Sequence, residues 1–135
     1  MKKYLILIAF FPLIIGSQCN NKDDECHKAV MFYNNDTIDV YVLSYFDTTF
    51  YQHYAMPGEK VVAKSKNNNA ISLRDCFEYR IPIEKPPYLG IIVTNAKLVD
   101  DSTWDYVSNH KLFLKQYSFS LEDLQRMNWT VTYPQ

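Results

Sequence analysis

Residues 88–94, "YLGIIVT", form a short, continuous apolar run rich in β-branched side chains and preceded by Pro86 and Pro87. A run of this length and branching suits a buried strand better than a helix, which needs ten or more residues. We read it as the central buried strand and assign the rest of the chain around it.

Upstream, apolar positions from Cys26 onward alternate with period two far more often than with period 3.6. Lys28 to Asn34 and Ile38 to Phe46 read as two strands joined by a tight turn at Asn34-Asn35-Asp36, because Asn and Asp bond their own main chain and accept left-handed backbone. The second strand sets Ile38, Val40, Val42 and Phe46 on one side and Asp39, Tyr41, Leu43 and Tyr45 on the other. Phe50 to Ala55 is aromatic-rich, and Pro57-Gly58 marks a turn before a strand over Glu59 to Lys64. Lys66 to Asn69 reads as a loop, with a short strand over Ala70 to Arg74. Pro82, Pro86 and Pro87 cannot donate ladder hydrogen bonds, which sends Ile81 to Pro87 to an edge or a connection.

Downstream, Leu112 to Phe119 and Asn128 to Tyr133 complete the strands. Two helix starts interrupt them, at Ser102 with Asp105 and at Ser120 with Asp123, each a loose capping box with acid at the positive helix end. Ser120 to Met127 is the better helix, with Leu121 and Leu124 on one face. Eight or so short strands without regular strand–helix alternation favour a mainly β, single antiparallel β-sandwich-like domain over residues 28–135, with one or two short helices near its C-terminus. The 135-residue length, 47% hydrophobic content and three Gly fit one compact domain.

The first 18 residues read as a secretory signal peptide: basic Met1-Lys2-Lys3, an apolar run from Tyr4 to Ile15 broken by Pro12, then small Gly16 and Ser17. The run is too short for a permanent span. Two processing routes are open. Cleavage after Ser17 would leave Cys19 an ordinary residue. Alternatively Cys19 becomes the lipid-bearing N-terminus, because Leu13 to Cys19 resembles a bacterial lipoprotein lipobox, departing from it at Gln18. Residues 19–27 then form a lipid-anchored acidic tether. Its Asn20 to Glu25 resembles the lysine-plus-acidic segment that places Bacteroidota lipoproteins on the outer face of the outer membrane. That implies a lipid-anchored, surface-exposed location, the periplasmic face or a soluble periplasmic state being the alternatives.

Cysteine parity bears on the same choice. An exported chain would hold Cys19, Cys26 and Cys76, and an odd cysteine in an oxidising compartment needs its own explanation. Lipid on Cys19 leaves Cys26 and Cys76 as a disulfide pair, closing a loop of about fifty residues worth about 4 kcal/mol in the chain-entropy model. The competing readings are two small buried thiols, or a Cys19–Cys26 pair.

Residues 114–134, "LKQYSFSLEDLQRMNWTVTYP", with "NNDTIDVYV" and "PGEK" earlier, resemble a group of small uncharacterised Bacteroidota lipoproteins. The resemblance implies a lineage and a location and carries no activity.

Chemistry is sparse. His27, His53 and His110 are isolated, without the spacing of a metal site, and each reads as a surface or hydrogen-bonded histidine. Gly16, Gly58 and Gly90 are too few for a nucleophile elbow or a phosphate loop. No catalytic residue, metal or cofactor is assigned. Asp100-Asp101 with Asp105, and Glu122-Asp123, are carboxylate pairs that a hydrolase could use, although acids at helix starts also offset the dipole. Removing Lys2 and Lys3 leaves 12 basic against 15 acidic side chains, a net charge of −3, which disfavours nucleic acid.

Aromatic residues make up 16% of the chain, and rings stack on sugars and anchor interfaces. Tyr41, Tyr45 and Tyr51 are the candidate ligand or partner patch, cross-strand aromatic pairing being the structural alternative. Asp36-Thr37, Asp47-Thr48 and Asp101-Ser102 resemble the sequon O-glycosylated in exported Bacteroides proteins, marking Thr37, Thr48 and Ser102. The expected function is a non-enzymatic binding or accessory module of the envelope, meeting envelope proteins or glycans, with a small hydrolase or a purely structural component as alternatives.

Overall fold

The computed structural model describes residues 26–46 and 56–135. Among them are seven strands and four short helices: β1 (Ala29–Asn34), β2 (Val40–Tyr45), β3 (Glu59–Val61), β4 (Ser65–Ser72), α1 (Phe77–Ile83), β5 (Leu89–Asn95), α2 (Ala96–Asp101), α3 (Trp104–Asn109), β6 (Lys115–Phe119), α4 (Leu121–Arg126) and β7 (Thr130–Tyr133). The expected aromatic stretch at Phe50 to Ala55 lies outside the described residues.

The strands form two sheets. One has the order β4-β1-β7, the other β3-β2-β5-β6. All pairings are antiparallel except β1 with β7, which run parallel. The inner faces share one core, in which Val30, Phe32, Ile71 and Val131 of the first sheet meet Val40, Val42, Ile91 and Val93 of the second. This is the sandwich expected from the alternation, and β5 is an interior strand of the larger sheet.

The second sheet is covered on its outer face as well. Leu43, Tyr45 and Ile92 pack there against Val99 of α2 and Trp104 and Val107 of α3. Strand β5 is therefore buried on both faces, from Leu89 to Thr94, which explains why its sequence is continuously apolar rather than alternating.

The expected tight pairing of the first two strands is not formed. Strand β1 belongs to one sheet and β2 to the other, so the Asn34–Asp39 segment crosses between layers. The cause is the fully buried Asn34. Its Nδ2 donates to Ile38 O (2.8 Å) and Val61 O (3.1 Å), and its Oδ1 accepts from the Asp36 N–H (3.1 Å). A buried amide satisfied on both ends fixes the corner, and burying it unsatisfied would be costly.

The helices also differ from expectation. Helix α1 occupies Phe77–Ile83, with Phe77 and Ile81 buried four residues apart and Pro82 in its last turn. A proline there removes one donor and the helix stops just beyond it. Helix α2 is capped by Asn95, whose side chain accepts from Leu98 N. Thr103, rather than Ser102, caps α3 by accepting from Tyr106 N, while Ser102 Oγ donates back to Leu98 O (2.6 Å). The capping box at Ser120 and Asp123 is formed as expected on α4. The Lys66–Asn69 segment, read as a loop, lies within β4.

Cys26 and Cys76 form a disulfide, 50 residues apart in sequence. It ties the start of the described chain to the residue that opens α1. Beside it the His27 N–H donates to Glu78 Oε2 (3.0 Å), and His27 O accepts from Phe77 N (2.9 Å). Cys26 and His27, the last two residues assigned to the expected tether, are thus bound to the body of the domain.

Candidate functional site

The predicted tyrosine patch is divided by the fold. Tyr45 is 2% exposed; its ring lies against Gly90, where an added Cβ would come within 2.2 Å of it, and its hydroxyl accepts from Gln116 Nε2 (2.7 Å). Helices α2 and α3 supply the cover that alternation alone did not reveal, so Tyr45 is no surface platform. Tyr41 is half-buried at the rim of the same cluster. Tyr51 and Thr48, like Cys19, lie outside the described residues. Thr37 and Ser102 are exposed.

Tyr41 belongs to a charged basin instead. Its hydroxyl donates to Asp100 Oδ1 (2.9 Å), and Lys60 Nζ donates to Asp100 Oδ2 (2.7 Å). Asp39, Lys97 and Asp101 complete a cavity of ≈ 460 Å³, rimmed by Thr37. Three carboxylates in one concavity invite an acid–base reading. Each is already committed: Asp100 as above, Asp101 to Lys97, and Asp39 to the Ala63 N–H (2.9 Å). Asp105 and Glu122 sit exposed in the first turns of α3 and α4, outside the basin.

The hydrogen bonds around Asp100 and Lys97 move their groups' protonation equilibria away from neutrality. Hydrogen bonds from Lys60 and then Tyr41 hold the Asp100 carboxyl below its usual range. The bond to Asp100 raises both the Tyr41 phenol and the Lys60 ammonium, and the bond to Asp101 raises Lys97. General acid–base groups work best with values near the operating pH. This basin holds a fixed set of charges.

A second concavity, of ≈ 410 Å³, is lined by His27, Met31, Asn68, Asn128, Trp129 and Thr130. The His27 ring stacks on Trp129 with centroids 4.0 Å apart and an interplanar angle of 12°. Its Nδ1 lies 2.5 Å from Glu78 Oε1, and Phe77 supports the indole from another side, 6.0 Å away. The loop after α4 sets this geometry. Asn128 N bonds Gln125 O and Trp129 N bonds Leu124 O, the paired closure of a Schellman motif with Asn128 at its left-handed position (φ 50°). Trp129 then follows at φ 55° as well. Asparagine tolerates that region, but a bulky ring there is an outlier.

His27 was legible as a hydrogen-bonded histidine, and Trp129 only as one ring in an alternating strand. Their meeting depends on β7 pairing parallel with β1, which places Thr130 beside Met31. No local pattern carries that information. Among the described residues, no group of three His, Cys, Asp or Glu side chains is placed to hold a metal ion.

No protein-family model matches the chain, and neither does any curated protein or any solved structure.

Proposed function

We propose that this protein is an exported, lipid-anchored envelope lipoprotein of the outer membrane surface, akin to the small Bacteroidota lipoproteins its sequence resembles, and that it acts as a non-enzymatic binding module for envelope glycans. The observation that carries the binding reading is Trp129, held at positive φ and stacked on His27 at the mouth of a groove that also offers the amides of Asn68 and Asn128. Backbone strain of this kind concentrates at ligand clamps. An indole with neighbouring amides matches a sugar's apolar face and its hydroxyls.

The Cys26–Cys76 disulfide supports export, because such bonds persist in oxidising compartments. The basin around Asp100 argues against the hydrolase alternative, since its three carboxylates are paired and Asp100 itself is held ionised by Lys60 and Tyr41. Tagged protein isolated from native membranes, scored for bound glycan alongside a Trp129→Ala variant, tests the binding reading. Equal glycan recovery from both proteins would overturn it. Mass spectrometry of the mature N-terminus tests anchoring: a free Cys19 thiol would refute it.

A further inference from the structure

Helix α1 carries apolar side chains on two opposite sides. Phe77 and Ile81 are buried in the core, whereas Tyr79 and Ile83, likewise four residues apart, stand 56% and 69% exposed. A step of two residues turns a helix by about 200°, so the second pair lies on the face turned away from the core. Around it Lys28, Arg74 and Arg80 line a cavity of ≈ 370 Å³ together with the disulfide, Asp75 being the carboxylate in that lining. Arg80 pairs with Glu84 at 2.6 Å. Lys28 and Arg74 form no ion pair among the described residues.

The position of this face matters because of what precedes it. Cys26 is covalently held to Cys76, and the His27 N–H to Glu78, so the chain enters the fold at the start of α1. Cys26 follows Cys19 by seven positions, a reach of at most about 25 Å. A lipid on Cys19 would keep the α1 face within that distance of the bilayer.

We propose that the α1 face, through Tyr79, Ile83, Lys28 and Arg74, docks on the phosphate headgroups of the membrane that holds the anchor, an inference that rests on the lipid-anchoring reading above. The amphipathic Tyr79 ring and the aliphatic Ile83 suit the interfacial zone. The two unpaired cations are drawn to an anionic surface within a Debye length of it. Asp23, Asp24 and Glu25 on the tether oppose that attraction. The exposed apolar pair supplies what charge alone would not, since its burial is not reversed by neighbouring acids.

The test uses the processed chain in vesicles of phosphatidylcholine, with or without phosphatidylglycerol, and hydroxyl-radical footprinting of Tyr79. Tyr106 on α3, 49% exposed, is the internal control. Oxidation of Tyr79 should fall at least about fivefold when the anionic lipid is present, with Tyr106 unchanged, and a Lys28→Glu/Arg74→Glu double variant should restore it. The intact mass of the same sample reports acylation. An acylated chain whose Tyr79 reacts equally on both vesicles overturns docking and leaves anchoring intact. A chain without lipid overturns both. Protection in native membranes but not in pure lipid would assign the face to a protein partner and overturn the headgroup assignment.

Discussion

The side-chain amide of Asn34, in one sheet, donates to the main-chain carbonyl of Val61, in the other, at 3.1 Å. The same nitrogen reaches Ile38 O, and the side-chain oxygen takes the Asp36 N–H. One fully buried amide thus closes the turn after β1 and joins the two layers.

Replacing Asn34 by Ala would leave the Val61 carbonyl in a buried place, and the Ile38 carbonyl in a partly buried one, without that donor. Each such loss costs about 1 kcal/mol or more, so Asn34→Ala should destabilise the domain by about 2–3 kcal/mol. Thermal unfolding should register this as a fall in Tm of roughly 10 °C or more. A change of only a degree or two would show that the corner is held by other contacts.

The disulfide makes a separate contribution. Removing the 50-residue cross-link in Cys26→Ser/Cys76→Ser should lower unfolding free energy by about 4 kcal/mol, mainly by freeing the unfolded chain. Urea titration of the oxidised protein against the double variant measures it, and coincident midpoints would contradict the assignment.

Acid sensitivity should have a component at the start of α4. The Ser120 N–H, then the Ser120 hydroxyl, hold the Asp123 carboxyl below its usual range. A depressed folded value means that the ionised form stabilises the fold above the unfolded-chain pKa of about 3.9, and that this is lost as pH falls through the lower folded value. Asp123→Asn should therefore be less stable than the parent at pH 6, with the gap narrowing below about pH 4. A gap that stays constant from pH 6 to 2 would contradict the capping assignment.

Lys111 offers a stabilising change. It sits at φ 53° just past α3, where Lys111 N bonds Ser108 O and Leu112 N bonds Val107 O. Glycine pays no Cβ penalty at this left-handed position, so Lys111→Gly should add about 1 kcal/mol. Chemical denaturation reads the gain directly; a loss would mean that the lysine side chain contributes more than the backbone strain costs.

The strands were legible where the burial pattern is a local property. Residues 88–94 gave the interior strand because covering both faces demands apolar side chains at every position. Helix α1 was hidden because its two core-facing and two outward apolar residues share seven positions with a proline, and Phe77 and Ile81 alone make too short a helical period to read. Helix α2 was missed because its cap, Asn95, is also the last residue of β5. Tyr45 was misread for a related reason: alternation puts a side chain on a face, but whether that face meets solvent depends on α2 and α3, more than fifty residues away.

By itself, then, the sequence determined a mainly β domain, its interior strand and the Ser120–Asp123 cap, all of which follow from short-range pattern, whereas the pairing of Cys26 with Cys76 was one of three readings that the fold resolved. Tertiary structure alone decided that β1 and β2 part into different sheets, that Tyr41 turns to Lys60 and Asp100, and that His27 meets Trp129. Each of those contacts joins residues whose separation along the chain carries no period, so only the packing of sheet on sheet and helix on sheet brings them together.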